Sequence, residues 1–591
     1  MTRREMEMSE FADLCLVSGR VFDGRTRTVY TAVGIKDGRI IRVGDDVDVL
    51  ELRGPDTRVV DAAGGAILPG FVDAHAHAAF AGVERLSCDL TPATTQQETF
   101  DLIRASAEQT DEGWITGGGW SHEIFPNPTR QMLDAIAPDR PVALSDAGHH
   151  TLWVNSKALE MAGVDRITPQ PHNGHIHVDG DGEPTGYLNE TAAELVGRVI
   201  PPATEDAIYQ GLLNAQDFLW SLGVTGWHEA ILGEYNGKAD CTRAYREGLS
   251  QGTLRSQTSG ALWVAPGLQT QDVPALVERF VRLREENAAA GFRTGTAKAM
   301  IDGVPHGETA ALIDSYCSHS GNGEMHFDEE AIFAFVEQLD AAGFALHLHI
   351  MGDRGVRVAL DAVEAARVRN GPGPRHHFAH LSMIHPDDAH RFGPLGITAN
   401  MQALWASPDP HVVPMIGEER MRAGYPFRSL ADGGADLAMG SDWPVSPADP
   451  WLAIHVAVNR TLPGVPDVLD ESQRLSVEET LAAYTSGSAS LVLGTSGRVR
   501  VGERADLVVS TRDPFEIPSE ALISVATAVT VVDGRVVFER EQPALAERVQ
   551  LSRYTRYRTP SASRRLAEMN TESCSSASPG AELSNVTVAR K

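Results

Sequence analysis

Between two β-rich ends, the chain runs through short apolar segments that each give way to a stretch of helical period, the pattern of parallel β/α units. Eight such segments can be laid out, centred on Ala66 to His75, Gly223 to Trp227, Arg255 to Val264, Thr296 to Ile301, Phe344 to His349, His376 to Leu381, Ile397 to Gln402 and Ala435 to Gly440. Eight units predict an α/β fold, a TIM-type (β/α)8 barrel whose reacting groups lie at the C-terminal ends of the strands. Most later intervals are near the roughly 30 residues that one unit of such a barrel takes. The first is far longer: from His77 to Gly223 there is room for an inserted α+β domain of about 100 residues, placed at 85–205.

The ends carry hairpin grammar. In Ala32 to Arg42 an Asp37-Gly38 turn joins two strands, and near the other end Asp533-Gly534 sits between β-branched runs from Val529 to Phe538. One small β-domain built from both termini is expected, residues 1–65 and 497–545, with barrel strand 1 in 66–84 and the rest of the barrel in 206–496. The Ser-rich tail, 560–591, has little periodic apolar content and is expected to be disordered.

Length supports several domains, since 591 residues exceed what one hydrophobic core normally holds. A formal net charge of -29 argues against a protein that grips nucleic-acid phosphates with a basic face. No apolar run is long enough to span a bilayer, and Met1 to Glu10 has no apolar core after its basic pair, so neither a membrane role nor secretion is expected. A cytoplasmic location follows. Cys15, Cys88, Cys241, Cys317 and Cys574 are scattered without CxxC spacing and read as reduced thiols.

The strongest local signal is Ala66 to His77, an apolar strand ending in His75-Ala-His77. On a strand, residues i and i+2 share a face, so both imidazoles point together at the barrel mouth and form a metal pair. His-x-His recurs at His175/His177, inside a turn-rich hairpin where a surface turn is the better reading. Three other strands also end in metal-capable residues: His349, His380 and Asp442. Each alone is weak; their agreement at strand ends is not. Lys298 has two readings, an ion pair with Asp302, or a neutral amine that captures carbon dioxide as a carbamate bridging two cations.

These motifs, with Lys298 to Gly303, His349 to Arg354, Gly440-Ser-Asp-Trp-Pro-Val445 and the closing Val501 to Leu507, resemble the amidohydrolase superfamily, in particular its amidohydrolase-3 or YtcJ-like branch, over roughly residues 13 to 540. That branch includes N-substituted formamide deformylases. The resemblance implies a metal-dependent barrel beside a β-sandwich from both termini. It also implies that His75 and His77 hold one metal and His349 and His380 the other, that Lys298 bridges, and that Asp442 binds metal and handles protons. Within the insert, Gly119-Trp-Ser and His150 to Ser156 also match, which makes Trp120, His150 and Trp153 candidate substrate contacts, with packing of the insert the equal alternative. Two departures stand where specificity is expected: Ala379 replaces the usual glutamate before the sixth-strand histidine, and Val304 to Glu308 replaces a small-residue stretch, so that Asp302 and His306 become candidate substrate contacts.

The expected reaction is hydrolysis of a non-peptide amide-type C–N bond, with a substituted formamide as one substrate class. Attack by metal-bound hydroxide would proceed with Asp442 as general base. One or two divalent cations are expected, with zinc favoured by the His-rich ligand set. The competing enzymatic reading is a lactone, carbamate or phosphotriester as electrophile. The competing non-enzymatic reading is a silent descendant that binds a small ligand. The partner is then a small molecule, with a homodimer expected only from the prevalence of two-fold assemblies.

Overall fold

The computed structural model describes residues 11–541 apart from 110–112, 123, 148–150, 172–173 and 236. His150, the Met1 to Glu10 stretch and the Ser-rich tail therefore lie outside the described residues. An eight-stranded parallel sheet forms the centre: β1 (Phe71–Ala76), β2 (Val224–Leu232), β3 (Gln257–Trp263), β4 (Arg293–Met300), β5 (Ala345–Ile350), β6 (His376–His380), β7 (Ile397–Met401) and β8 (Leu437–Met439), paired in that order. The ring closes just beyond β8. Asp442 N–H donates to the His75 carbonyl at 2.7 Å and His77 N–H to the Trp443 carbonyl at 2.8 Å, with a parallel bridge between Ala76 and Trp443. A Cβ on Gly440 would lie 2.5 Å from His75 N, so the closure needs a residue without one. The seam of the barrel is thus the place where the His-x-His strand meets the aspartate.

The apolar run from Ala66 to His75 that reads as one strand is two. Ala66–Pro69 joins a five-stranded sheet with Arg20–Val21, Leu507–Ser510, Thr527–Val532 and Arg535–Glu539, while Phe71–Ala76 enters the barrel. Continuous apolar sequence cannot show which sheet each half feeds. The break falls at Gly70, where a Cβ would meet the Thr225 side chain at 2.1 Å. A four-stranded sheet of Ala12–Val17, Ala32–Lys36, Arg39–Gly44 and Arg53–Asp61 packs on this one through Leu16, Ile35, Ile67, Leu507 and Val531. Both Asp-Gly turns have two consecutive positive φ values, 47° and 73° at Asp37 and Gly38, 51° and 72° at Asp533 and Gly534, as a two-residue hairpin of this hand requires.

The insert is a six-stranded sheet spanning Cys88 to Glu190 with helices on it. It leaves the barrel after α1 (Ala78–Leu86) and returns through α2 (Glu205–Ser221). The two helices touch backbone to backbone, since a Cβ on Gly82 would lie 1.8 Å from the Gly211 carbonyl oxygen. This contact sets the insert on the first β/α unit. His175 and His177 lie on its Gly174–Val178 hairpin strand, with His177 stacked on Tyr187 and bonded to Asn189 at 2.8 Å.

No helix among the described residues is long and apolar enough to cross a membrane. Cys15, Cys88 and Cys241 are free thiols, whereas Cys317 is disulfide-bonded, contrary to the expectation drawn from spacing.

Candidate metal centre

Every strand end named from the sequence converges on one place. His75 ends β1 and His77 follows it; Lys298 stands on β4, His349 on β5, His380 on β6, and Asp442 follows β8. Asp442 Oδ1 lies 3.2 Å from His75 Nε2 and 3.1 Å from His77 Nε2. The rings of His75 and His380 are 5.0 Å apart, and those of His349 and His380 4.3 Å. His75, His380 and Asp442 offer ligand atoms that all lie within 4.8 Å of one another.

Two orphaned groups test whether a cation fits. Both ring nitrogens of His380 and the Nζ of Lys298 are buried without a hydrogen-bond partner. Such groups are costly unless something binds them. A histidine-rich set closed by one carboxylate is a donor set that suits zinc and related divalent ions. The residues fit the group.

The protonation states agree. Burial, then the Lys298 charge, pulls His75 and His349 down to about 3, and burial with the neighbouring His349 holds His380 well below the usual imidazole range. Neutral imidazoles with free lone pairs are what a cation needs. Burial pushes Asp442 up, but its contacts with His75 and His77 and the nearby His380 outweigh it and keep the carboxyl well below its ordinary range, hence ionised. Burial brings Lys298 down to about 7, so a large neutral fraction exists near neutrality.

The alternative ion pair with Asp302 does not form among the described residues. The Asp302 carboxylate instead accepts N–H bonds from Ala311 and Met351, each at 2.9 Å, and from Gly352 at 2.7 Å. It ties the loops after β4 and β5 together, and burial raises it to about 7. Position relative to Lys298 was visible in the sequence; the competing backbone donors were not.

Backbone geometry singles out the same spot. His380, Leu381 and Asp442 have φ of 72°, 54° and 58°, a region that non-glycine residues enter only under constraint. The constraint is identifiable. Gln402 Oε1 accepts the His380 N–H at 2.7 Å, and the buried Asp73 accepts from His75 N and Ser441 N at 3.0 Å and from Ser441 Oγ at 2.5 Å. Trp405 lies flat on His380, with centroids 5.1 Å apart and planes 6° from parallel.

Glu229 on β2 completes the surroundings. Its Oε1 is 3.9 Å from His77 Nδ1, and its Oε2 accepts from Tyr245 OH at 2.6 Å and Ala79 N at 3.2 Å. Burial raises it to about 7. Sequence reading passed over Asp73, Glu229, Gln402 and Trp405. Two of them left a signal: Asp73 precedes His75 by two and so shares its face, and Glu229 is the one carboxylate in a strand buried along all nine residues.

Of the remaining substrate candidates, two lie elsewhere. Trp120 and Trp153 are buried in the insert's own core, their indole N–H groups each donating at 2.9 Å, to the carbonyls of Leu144 and Thr129. Packing accounts for both. His306, half-exposed on the loop after β4, meets Asp409 at 3.0 Å.

Comparison with known proteins agrees with this geometry. The model of the Amidohydrolase family matches residues 58–538. The Bacillus subtilis protein YtcJ is 30% identical over 87% of this chain and 96% of its own. An N-substituted formamide deformylase from Arthrobacter pascens is 28% identical over 90% and 99%. Among solved structures, an uncharacterized metal-dependent hydrolase from Pyrococcus horikoshii superposes with a TM-score of 0.65 at 25% identity, over 86% of this chain and 99% of that one.

Proposed function

The chain belongs to the amidohydrolase family, and from that premise we propose that it is a metal-dependent hydrolase of a non-peptide amide-type C–N bond, with N-substituted formamides as the first substrate class to try. The observation that carries the reading is the convergence of His75, His77, Lys298, His349, His380 and Asp442 at the barrel mouth, with Asp442 Oδ1 held between two imidazoles. The name of the Arthrobacter relative supports the substrate class.

His75 and His77 would hold one divalent cation, most simply zinc, and His349 and His380 a second, with Lys298, as a carbamate, a further ligand. Ions bound there would acidify water and polarise a carbonyl. The protein's own part is proton handling and placement. Asp442, ionised at rest, takes a proton from the attacking water as its oxygen bonds to the carbonyl carbon. The C–N bond then breaks, and the same carboxyl passes the proton to the departing nitrogen, leaving an amine and a carboxylic acid, which ionises by losing its own proton to solvent. Asp73 and Gln402 hold the backbone that presents Asp442 and His380, so the ligands are set before substrate arrives.

Elemental analysis of protein purified without added metal, with native mass measured for a carbon dioxide adduct, tests this directly. About two ions per chain, lost with the adduct in Lys298→Ala, and turnover of formamides that Asp442→Asn abolishes without unfolding, are the expected results. One ion and no adduct would remove Lys298 from the ligand set. No ion after reconstitution would end the hydrolase reading, and turnover confined to lactones or phosphotriesters would change the electrophile.

A further inference from the structure

One layer below the metal centre lie three imidazoles that the reaction does not use: His228 on β2, His347 on β5 and His377 on β6. His347 precedes His349 by two, so it shares that face of the strand one step deeper in the barrel. All three rings are buried, with centroids 4.2 Å apart for His347 and His377 and 5.4 Å for His228 and His347. Their nitrogens come within 4.8 Å of one another, which makes a second cation site the obvious idea.

The hydrogens argue otherwise. Asn400 Nδ2 donates to the Ala74 carbonyl at 2.9 Å and stands 3.2 Å from His377 Nδ1, so that ring nitrogen is an acceptor and its lone pair is already used. His347 Nε2 lies 3.1 Å from His75 Nδ1, and a bond of that length between two neutral rings holds one hydrogen. A cation on His347 Nδ1 would place that hydrogen on His347 and turn it toward His75.

The direction of that one bond decides whether His75 can be a ligand. A neutral His75 has two tautomers. In one, Nε2–H donates to Asp442 Oδ1, 3.2 Å away, which occupies both the ring nitrogen and the carboxylate that a cation needs. In the other, Nδ1 carries the hydrogen and Nε2 presents a lone pair beside Asp442 and His380. Asp442 favours the first, and an acceptor behind the ring is required to favour the second.

We propose that His347 is that acceptor: a positioning residue whose Nε2 takes the Nδ1–H of His75 and so holds His75 as the tautomer that turns its Nε2 lone pair to the metal. His347 then carries its own hydrogen on Nδ1, a nitrogen buried without a hydrogen-bond partner among the described residues. The inference rests on the metal-dependent reading above.

Cobalt(II) loading of the full-length protein, followed by its visible absorption and by competition with a chelator, provides a readout separate from turnover. In His347→Gln the side-chain oxygen can reach the place of Nε2 and accept the same hydrogen, whereas His347→Leu fills the space with no acceptor. His347→Gln is expected to keep cobalt affinity within about threefold of native, and His347→Leu to lose about 10- to 100-fold, the range found when the partner of a ligating histidine is removed. Metal-free unfolding temperatures of the two variants should match. If His347→Leu does not fold, His347→Asn, polar but too short to reach His75, takes its place and is expected to show the same loss. Native-like affinity in the leucine or asparagine variant, or equal loss in the glutamine variant, overturns the proposal. Failure of the native protein to take up cobalt at all is seen before any variant is made, and fails the hydrolase reading instead.

Discussion

At the scale of single residues, the centre depends on groups that touch no substrate. Gly440 is one: a Cβ there would stand 2.5 Å from His75 N and 2.6 Å from His75 Cβ, both part of β1 and neither free to move aside. Gly440→Ala is expected to lower stability by about 1–3 kcal/mol through overpacking. Because the strain falls on the seam where Asp442 meets His75, it should also reduce metal content. Thermal unfolding and elemental analysis check both, and a variant with native metal content would mean that the seam relaxes without disturbing the ligands. The ligands themselves were legible because strand-end histidines and an aspartate recur at one place in each unit. Asp73 and Gln402 were not, since a polar residue inside an apolar segment gains meaning only when its hydrogen-bond donors are in view.

At the scale of elements, Asp340 shows how charge fastens a helix to the barrel. It lies on the helix Glu329–Ala341, 3.1 Å from His376 Nε2 at the start of β6, and accepts from Asn370 at 2.9 Å, with Arg367 also on Oδ1. Burial would raise its pKa, but His376, Asn370 and Arg367 prevail and hold it at about 2. The unfolded carboxyl titrates near 3.9, so on acidification the unfolded chain takes up this proton first. The stabilisation is therefore complete above about pH 4 and lost as pH falls from there toward 2. Asp340→Asn should unfold several degrees lower than native protein at pH 6, with the gap closing by pH 2.5, read from the midpoint of thermal unfolding. A constant gap would assign the effect to packing. Strand positions were readable from apolar runs to within a few residues, but the split at Gly70 was hidden because both halves of Ala66 to His75 are buried, one in each sheet.

For the whole molecule, the candidate ligand set draws on residues far apart in sequence. Residues from 75 to 442 meet at one site, and the strands they come from span the complete ring. A cation that binds only the folded chain stabilises it by mass action. Prolonged chelation is thus expected to lower the main unfolding temperature, and zinc to restore it; an unchanged midpoint after proven metal loss would show a barrel that closes without its ions. The sequence by itself determined the barrel, the β-domain made from both ends, the insert after the first strand and the six residues at the strand ends. Each is written in local periodicity, turn chemistry or spacing along one strand. Only the tertiary structure decided that Lys298 has no carboxylate partner among the described residues, that Asp302 serves the loop backbone, that Trp120 and Trp153 fill the insert's core, and that His347 stands behind His75. Those facts depend on which atoms from distant segments come within 3 to 4 Å of each other, and hydrogen bonds are decided over that range.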